Sequence, residues 1–211
     1  VIDRRNSITM DNKNCIYITG ITSIQKFPEK RVYKSIYSGK DYSSYIIKIN
    51  TGKSGQLALE YAAYLGGNGV DEGTTVAVDD SGIAYIAGIT NSTAGFPISG
   101  KSYLSSYPGG EISGFLVKVD TKEIGIASLV YGTYLGGNGI DVCSDIKIDS
   151  NNYVYISGFT SSKNLPIENY NYKDIVSNEE FYSFLLKMDI TKRGKLALLN
   201  NSYFGDNGYN L

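Results

Sequence analysis

An all-β fold of repeated, four-stranded antiparallel units is predicted by three observations. The hexamer Tyr-Leu-Gly-Gly-Asn-Gly stands at 64–69 and again at 134–139. Whole segments recur around it at spacings of 70 and 69 residues, marked by Lys48, Lys118 and Lys187 in "SYIIKIN", "GFLVKVD" and "SFLLKMD". Each recurring segment is short, rich in β-branched and aromatic residues, bounded by Gly, Asn or Asp, and without a sustained helical period. A period of this length marks a supersecondary unit that buries its apolar face by stacking on copies of itself. Three units, 1–70, 71–140 and 141–211, account for the 211 residues.

The first strand of a unit is "TTVAVD" from Thr74, with Val76 and Val78 on one face; its copies are "NSITMD" from Asn6 and "SDIKID" from Ser144. A tight hairpin follows, reading "DDSG" (79–82), "DNKN" (11–14) and "DSNN" (149–152). Its last position is Gly82, Asn14 or Asn152, the residue types that best tolerate positive φ. The leading Asp is read as a turn former. The rival reading is a Ca²⁺ loop using Asp79, Asp80 and Ser81, but calcium takes six or more oxygens and only the first Asp recurs. The second strand, "IAYIAG" (83–88), leads into a long connection: 21–43, 89–113 or 159–182. It carries Phe27-Pro28, Phe96-Pro97 or Leu165-Pro166. The lysine-bearing segment is the third strand and "LVYGTYLG" (129–136) the fourth. The corner to the next unit is Gly66, Gly67, Asn68, Gly69, then Gly136, Gly137, Asn138, Gly139, and in the third copy Gly205 with Asp206. Positive φ is expected at one or both glycines of each corner, with Asp206 a tolerated substitute.

Four antiparallel strands repeated without helices describe the blade of a β-propeller. A parallel β-helix or other β-solenoid-type repeat has shorter coils and no hairpin signals. The strings "YLGGNGxD", "AVDxSGxAYIAGxT", "FP" and "FLVKVD" resemble the SBBP (seven-bladed β-propeller) repeat family, most closely in the second copy and over essentially the whole chain. The resemblance implies a propeller in exported or cell-surface proteins of bacteria and archaea, with no defined activity.

Composition narrows the function. Net charge is −1, so there is no basic field for nucleic acid. No apolar run approaches the ~18 residues of a membrane span. The chain starts at Val1 without a signal-peptide pattern, which is read as processing or excision from something longer. Cys15 and Cys143 occupy non-equivalent positions and show no disulfide framework; two buried free thiols are expected, and the redox compartment is not legible. Histidine is absent, which removes Ser-His and Cys-His nucleophiles and His-based metal sites. A carboxylate-pair glycosidase is the one enzyme reading left, with Glu60, Glu111, Glu179 and Glu180 outside turn positions. No cofactor is expected. Calcium is the one alternative, with Asp71, Asp79, Asp80 and Asp141 as its candidate sites.

Strands alternate in direction, so the inter-unit corners and the long second-to-third connections share one face. Long loops on a rigid scaffold carry binding. These hold Tyr33, Tyr37 and Tyr42, then Tyr103 and Tyr107, then Tyr170, Tyr172 and Tyr182. Such rings suit stacking on sugars or contact with protein; the competing reading has them plug gaps between blades. Asp71, Glu72 and Asp141, with Asp3 as their counterpart, either ring a channel around a cation or cap turns, and capping is the expectation. The functional reading is a non-catalytic, extracellular binding or adhesion module for a protein or glycan. The alternatives are a structural subunit of a surface layer, filament or appendage, and a glycan-active enzyme or its accessory domain. Val76, Val78, Ile86, Leu116, Val117, Tyr134 and their counterparts should be buried. Propellers close with four to eight blades, so two apolar end faces are expected to be covered by a longer chain or by copies of this one.

Overall fold

Among the described residues, twelve strands fall into three antiparallel sheets, each with its four strands side by side in chain order. Sheet 1 holds β1 (Arg4–Met10), β2 (Cys15–Thr22), β3 (Ser43–Asn50) and β4 (Leu59–Leu65). Sheet 2 holds β5 (Asp71–Val78), β6 (Ala84–Thr90), β7 (Ser113–Val119) and β8 (Leu129–Leu135). Sheet 3 holds β9 (Asp141–Ile148), β10 (Val154–Thr160), β11 (Tyr182–Met188) and β12 (Leu198–Phe204). The structure, a computed structural model, describes residues 4–25, 30, 42–165 and 181–204. It is not a solenoid of single-strand coils.

The hairpins form for the reason the sequence gives. Asn14, Gly82 and Asn152 have φ of 62°, 80° and 62°. The leading Asp closes each turn. Asp79 Oδ1 accepts the N–H groups of Ser81 and Ile83, both at 3.0 Å, and Asp79 Oδ2 accepts the Tyr85 hydroxyl at 3.0 Å. Asp11 does the same with Lys13, Cys15 and Tyr17, and Asp149 with Asn151, Tyr153 and Tyr155. The recurring lysine completes this arrangement: Lys48, Lys118 and Lys187 sit over the Tyr17, Tyr85 and Tyr155 rings at 5.4, 4.6 and 5.2 Å. Asp, Tyr and Lys therefore recur together as a structural clamp with cation–π character.

The corner glycines correct an expectation. Positive φ among the described residues occurs at Gly55, Gly82, Gly95, Gly109, Gly110, Gly125 and Gly194, and at none of Gly66, Gly67, Gly69, Gly136, Gly137 and Gly139. The corners need glycine for room instead. A Cβ on Gly67 would lie 2.4 Å from the Ala94 carbonyl oxygen, and one on Gly66 2.4 Å from Asp71 Oδ2. Gly205 and Asp206 lie outside the described residues. The repeated left-handed glycine is elsewhere, at Gly55, Gly125 and Gly194. Each opens a 3-10 turn (Gly55–Leu57, Gly125–Ser128, Gly194–Ala197) between third and fourth strands, which strand patterning does not reveal. A Cβ on Gly125 meets nothing within 4 Å, so its φ of 63° is the whole constraint. Gly125→Ala is expected to cost about 1 kcal/mol, read as a lowered urea midpoint with an unchanged slope.

Sheets stack through alternate side chains. β5 packs on β1, β2 and β3, and β9 packs on β5, β6 and β7. Tyr17, Ile46, Tyr61 and Leu65 of sheet 1 meet Val76, Ile86, Phe115 and Val117 of sheet 2. Tyr85, Leu116, Tyr131 and Leu135 of sheet 2 meet Ile146, Ile156, Phe184 and Met188 of sheet 3. Val76, Ile86, Leu116, Val117 and Tyr134 are buried as expected, while Val78 is half-buried. Of their counterparts, Ile46, Tyr64, Ile146 and Ile156 are buried as well, but those on the outer faces of the end sheets are not: Ile8 and Met10 are 64% exposed, and Leu185 39%. Their positions face outward from the first and third sheets, where no further sheet lies among the described residues. Cys15 and Cys143 are buried free thiols, and burial pushes the Cys143 thiol up to about 12.

Candidate functional site

The corner and the start of the long second-to-third connection meet on one face, and a buried carboxylate joins them. Asp71 opens β5 and is fully buried. Its Oδ2 accepts the Gly67 N–H at 2.9 Å; its Oδ1 accepts the Thr90 hydroxyl at 2.5 Å and the Ser92 hydroxyl at 2.8 Å. Ser92 Oγ in turn accepts the Gly69 N–H at 2.8 Å, and Asn91 Oδ1 the Val70 N–H at 2.7 Å. Asn68 Oδ1 takes the N–H groups of Thr93 and Ala94, both at 3.0 Å.

The second corner repeats the arrangement. Asp141 accepts the Gly137 N–H at 2.8 Å, the Thr160 hydroxyl at 2.5 Å and the Ser162 hydroxyl at 2.8 Å. Ser162 Oγ accepts the Gly139 N–H and Ser161 Oγ the Ile140 N–H, both at 2.8 Å. Asn138 accepts from the Lys163 N–H at 3.2 Å and donates its own N–H to Asn164 Oδ1 at 2.8 Å. The corner aspartates thus cap turns. Thr90 with Ser92, and Thr160 with Ser162, are the partners that sequence reading missed; the signal is their recurrence in "ITNS" and "FTSS" at the ends of β6 and β10, where the first copy has "ITSI".

Of the eight candidate tyrosines, Tyr42, Tyr103, Tyr107 and Tyr182 are among the described residues, and each is buried or half-buried. Tyr103 is buried between sheets 2 and 3, and its N–H donates to the Tyr131 hydroxyl at 3.0 Å. Tyr107 is half-buried and stands edge-on to Tyr134, 5.6 Å between centroids. Phe96 of the "FP" pair stacks on the same Tyr134 ring at 5.2 Å. This connection therefore folds back into the scaffold, as the gap-plugging reading has it. Tyr42 and Tyr182 are half-buried at the starts of β3 and β11. Tyr33, Tyr37, Tyr170 and Tyr172, with Asp3, lie outside the described residues.

Among the described residues, no three His, Cys, Asp or Glu side chains gather as a metal cluster, and no helix is long and apolar enough to cross a membrane. Asp79 Oδ2 lies 4.0 Å from Lys118 Nζ, and Asp80 belongs to the same hairpin. Glu60 is held by Asn50, Lys48 and Lys53.

Three four-stranded antiparallel sheets stacked face to face and joined by glycine-rich corners are consistent with β-propeller-like repeats. Two stretches of the chain, residues 60–97 and 130–166, match the SBBP β-propeller repeat. Each matched stretch runs from a fourth strand through the corner to the "FP" or "LP" pair, so the sequence repeat bridges two sheets rather than filling one. No curated protein matches the chain.

Proposed function

We propose that this chain works by docking rather than by catalysis, as a building block or adhesive module of a larger propeller-type assembly, with a second copy stacking on its end faces. One observation carries the reading: the positions that form the two internal seams recur, uncovered, at both ends. Ile8 is 64% exposed, while its equivalents Val76 and Ile146 are buried. At the other end Leu185 is 39% and Phe159 40% exposed; Ile46 and Leu116, equivalent to Leu185, are buried, and of the equivalents of Phe159 Ile21 is buried and Ile89 half-buried. Contiguous apolar faces of this kind mark interaction sites.

The internal seams supply the chemistry of such a contact. Tyr17 of sheet 1 donates its hydroxyl to Gly82 O in the hairpin of sheet 2 at 3.0 Å, and Thr75 of sheet 2 bonds Asp145 of sheet 3 at 3.1 Å. Tyr155 is the equivalent of Tyr17 on the outer side of sheet 3, and it points the same hydroxyl toward its own hairpin Asp. Docking sheet 3 of one copy on sheet 1 of the next is heterologous, so it closes a ring or extends a filament. A cell-surface location, which the family resemblance implies, and a protein or glycan ligand on the corner face, which the tyrosines of the long connections suggest, belong to the same proposal.

Light scattering over a micromolar concentration series tests it. The wild type should exceed the 23.0 kDa of one chain. Ile8→Asp and Leu185→Asp should each return it to the monomer with an unchanged circular dichroism spectrum. A wild-type monomer throughout the series contradicts the proposal.

A further inference from the structure

A cleft of about 240 Å³ opens at the seam of sheets 1 and 2, on the face opposite the corners. Four lysines line it, Lys30, Lys48, Lys53 and Lys122, against one carboxylate, Glu60. Burial alone would raise the Glu60 carboxyl, but hydrogen bonds from Lys53 and Asn50 and the charge of Lys48 outweigh it and hold it at about 2. Glu60 is therefore ionised at ordinary pH and engaged with Lys48 and Lys53, at 3.4 and 2.9 Å. The other two ammoniums stand on opposite walls. Lys30 Nζ donates to Gln56 O of sheet 1's 3-10 turn at 3.3 Å, and Lys122 Nζ to Ser81 O of sheet 2's hairpin at 2.9 Å. Thr121, 2% exposed, also lines the cleft. Its Oγ1 neighbours the Tyr17 hydroxyl but makes no hydrogen bond of ordinary geometry.

The other seam serves as an internal control. Where seam 1–2 has Lys53, Glu60, Thr121 and Lys122, seam 2–3 has Glu123, Val130, Ile190 and Thr191. Ile190 is buried, an apolar side chain in the place of the Thr121 hydroxyl. The fold needs the clamp lysine at each seam; it does not need the three further lysines or the buried hydroxyl. Four lysines against one ionised carboxylate leave the cleft net positive, which attracts an anion, and a buried hydroxyl without a well-formed bond offers it a neutral partner. Glu60 adds an acceptor for a ligand hydroxyl. The volume falls just below that of pockets for drug-sized ligands.

We propose that this seam cleft binds a sugar-sized ligand carrying a carboxylate or phosphate, with Lys30 and Lys122 clamping the anion and Thr121 donating to it. The seam lies within one chain, so the site stands whether or not copies associate.

Calorimetric titration at low ionic strength tests it with glucuronate, glucose 6-phosphate, inorganic phosphate and glucose. One or both charged sugars should bind and glucose should not, and which of the two binds more tightly identifies the anion. The double variant Lys30→Gln/Lys122→Gln should weaken binding by about tenfold or more. Thr121→Ile, which copies the other seam and leaves the charge unchanged, should weaken it as well. Thermal melts show whether each variant is folded; should one unfold, the wild-type Thr121 methyl resonance must shift on titration with glucuronate or glucose 6-phosphate. Equal binding of glucose, no binding of either charged sugar at millimolar concentration, unaltered affinity in both folded variants, or a stationary Thr121 methyl overturns the proposal. Inorganic phosphate binding as tightly as the charged sugars, with Thr121→Ile neutral, also overturns it, since that is the behaviour of diffuse surface charge.

Discussion

Asp71→Ala is expected to destabilise the protein by about 4 kcal/mol, since each buried polar group left without a partner costs about 1–3 kcal/mol. The substitution removes the acceptor for the Thr90 and Ser92 hydroxyls and the Gly67 N–H, all at a buried site. It also unlatches the corner, because Ser92 holds the Gly69 N–H through the same network. Asp71→Asn keeps the shape but turns an amide donor toward donors, so it should cost about half as much. Asp141→Ala should behave alike at the second corner, where the same groups recur. Urea unfolding followed by circular dichroism measures all three. An Asp71→Ala variant within about 1 kcal/mol of wild type, less than one lost buried partner, contradicts the latch. The competing reading of these aspartates as a cation site makes a different prediction, a melting temperature that rises with added Ca²⁺. The latch, already supplied with three donors, predicts no rise.

How much of this was legible in the sequence depended on which kind of constraint wrote each residue. The strands, their order and the hairpins were legible, because alternation and turn chemistry are local: "DDSG" against "DNKN" and "DSNN" isolates the one position that needs positive φ, and that position has it. The role of the hairpin Asp was legible for the same reason. The corner glycines were recognised but misread. Sequence shows that a side chain is excluded; it does not show whether backbone torsion or a neighbour excludes it, and at Gly67 the neighbour is Ala94, 27 residues away. Gly55, Gly125 and Gly194 recur as faithfully as the hexamer, but they sit between less similar residues and open turns with no strand-like pattern. Tyr103 and Tyr107 lay in a connection that differs between copies, and divergence alone does not separate a ligand contact from a ring that fills a seam. The lysine cleft was invisible because it takes one wall from each of two sheets.

Gly88→Ala is expected to destabilise by about 3 kcal/mol, at the upper end of what overpacking costs, and it separates steric exclusion from backbone strain. Gly88 lies in β6 opposite Gly73, where the register of β5 shifts and Thr74 is the extra residue. The bulge brings the β5 backbone onto Gly88: a Cβ there would be 1.9 Å from the Glu72 carbonyl oxygen and 3.0 Å from Gly73 Cα. Both are backbone atoms within a paired strand, so neither swings aside as a long side chain would. Thr74 adds a reason for the bulge to persist, since its hydroxyl donates to Cys143 O of sheet 3 at 2.5 Å. Gly158 repeats the situation, 1.9 Å from the Val142 oxygen, opposite the shift in β9. Gly100 is the control: a Cβ there meets nothing within 4 Å and its φ is not in the left-handed region. Gly100→Ala should change stability by less than about 0.5 kcal/mol. Gly125→Ala, with open space but positive φ, should fall between. Measured by urea unfolding, the order Gly100, Gly125, Gly88 tests the assignment as a set. A Gly88→Ala variant no worse than Gly125→Ala would mean the bulge moves away freely, and close approach would then fail as the reason for glycine at the corners too.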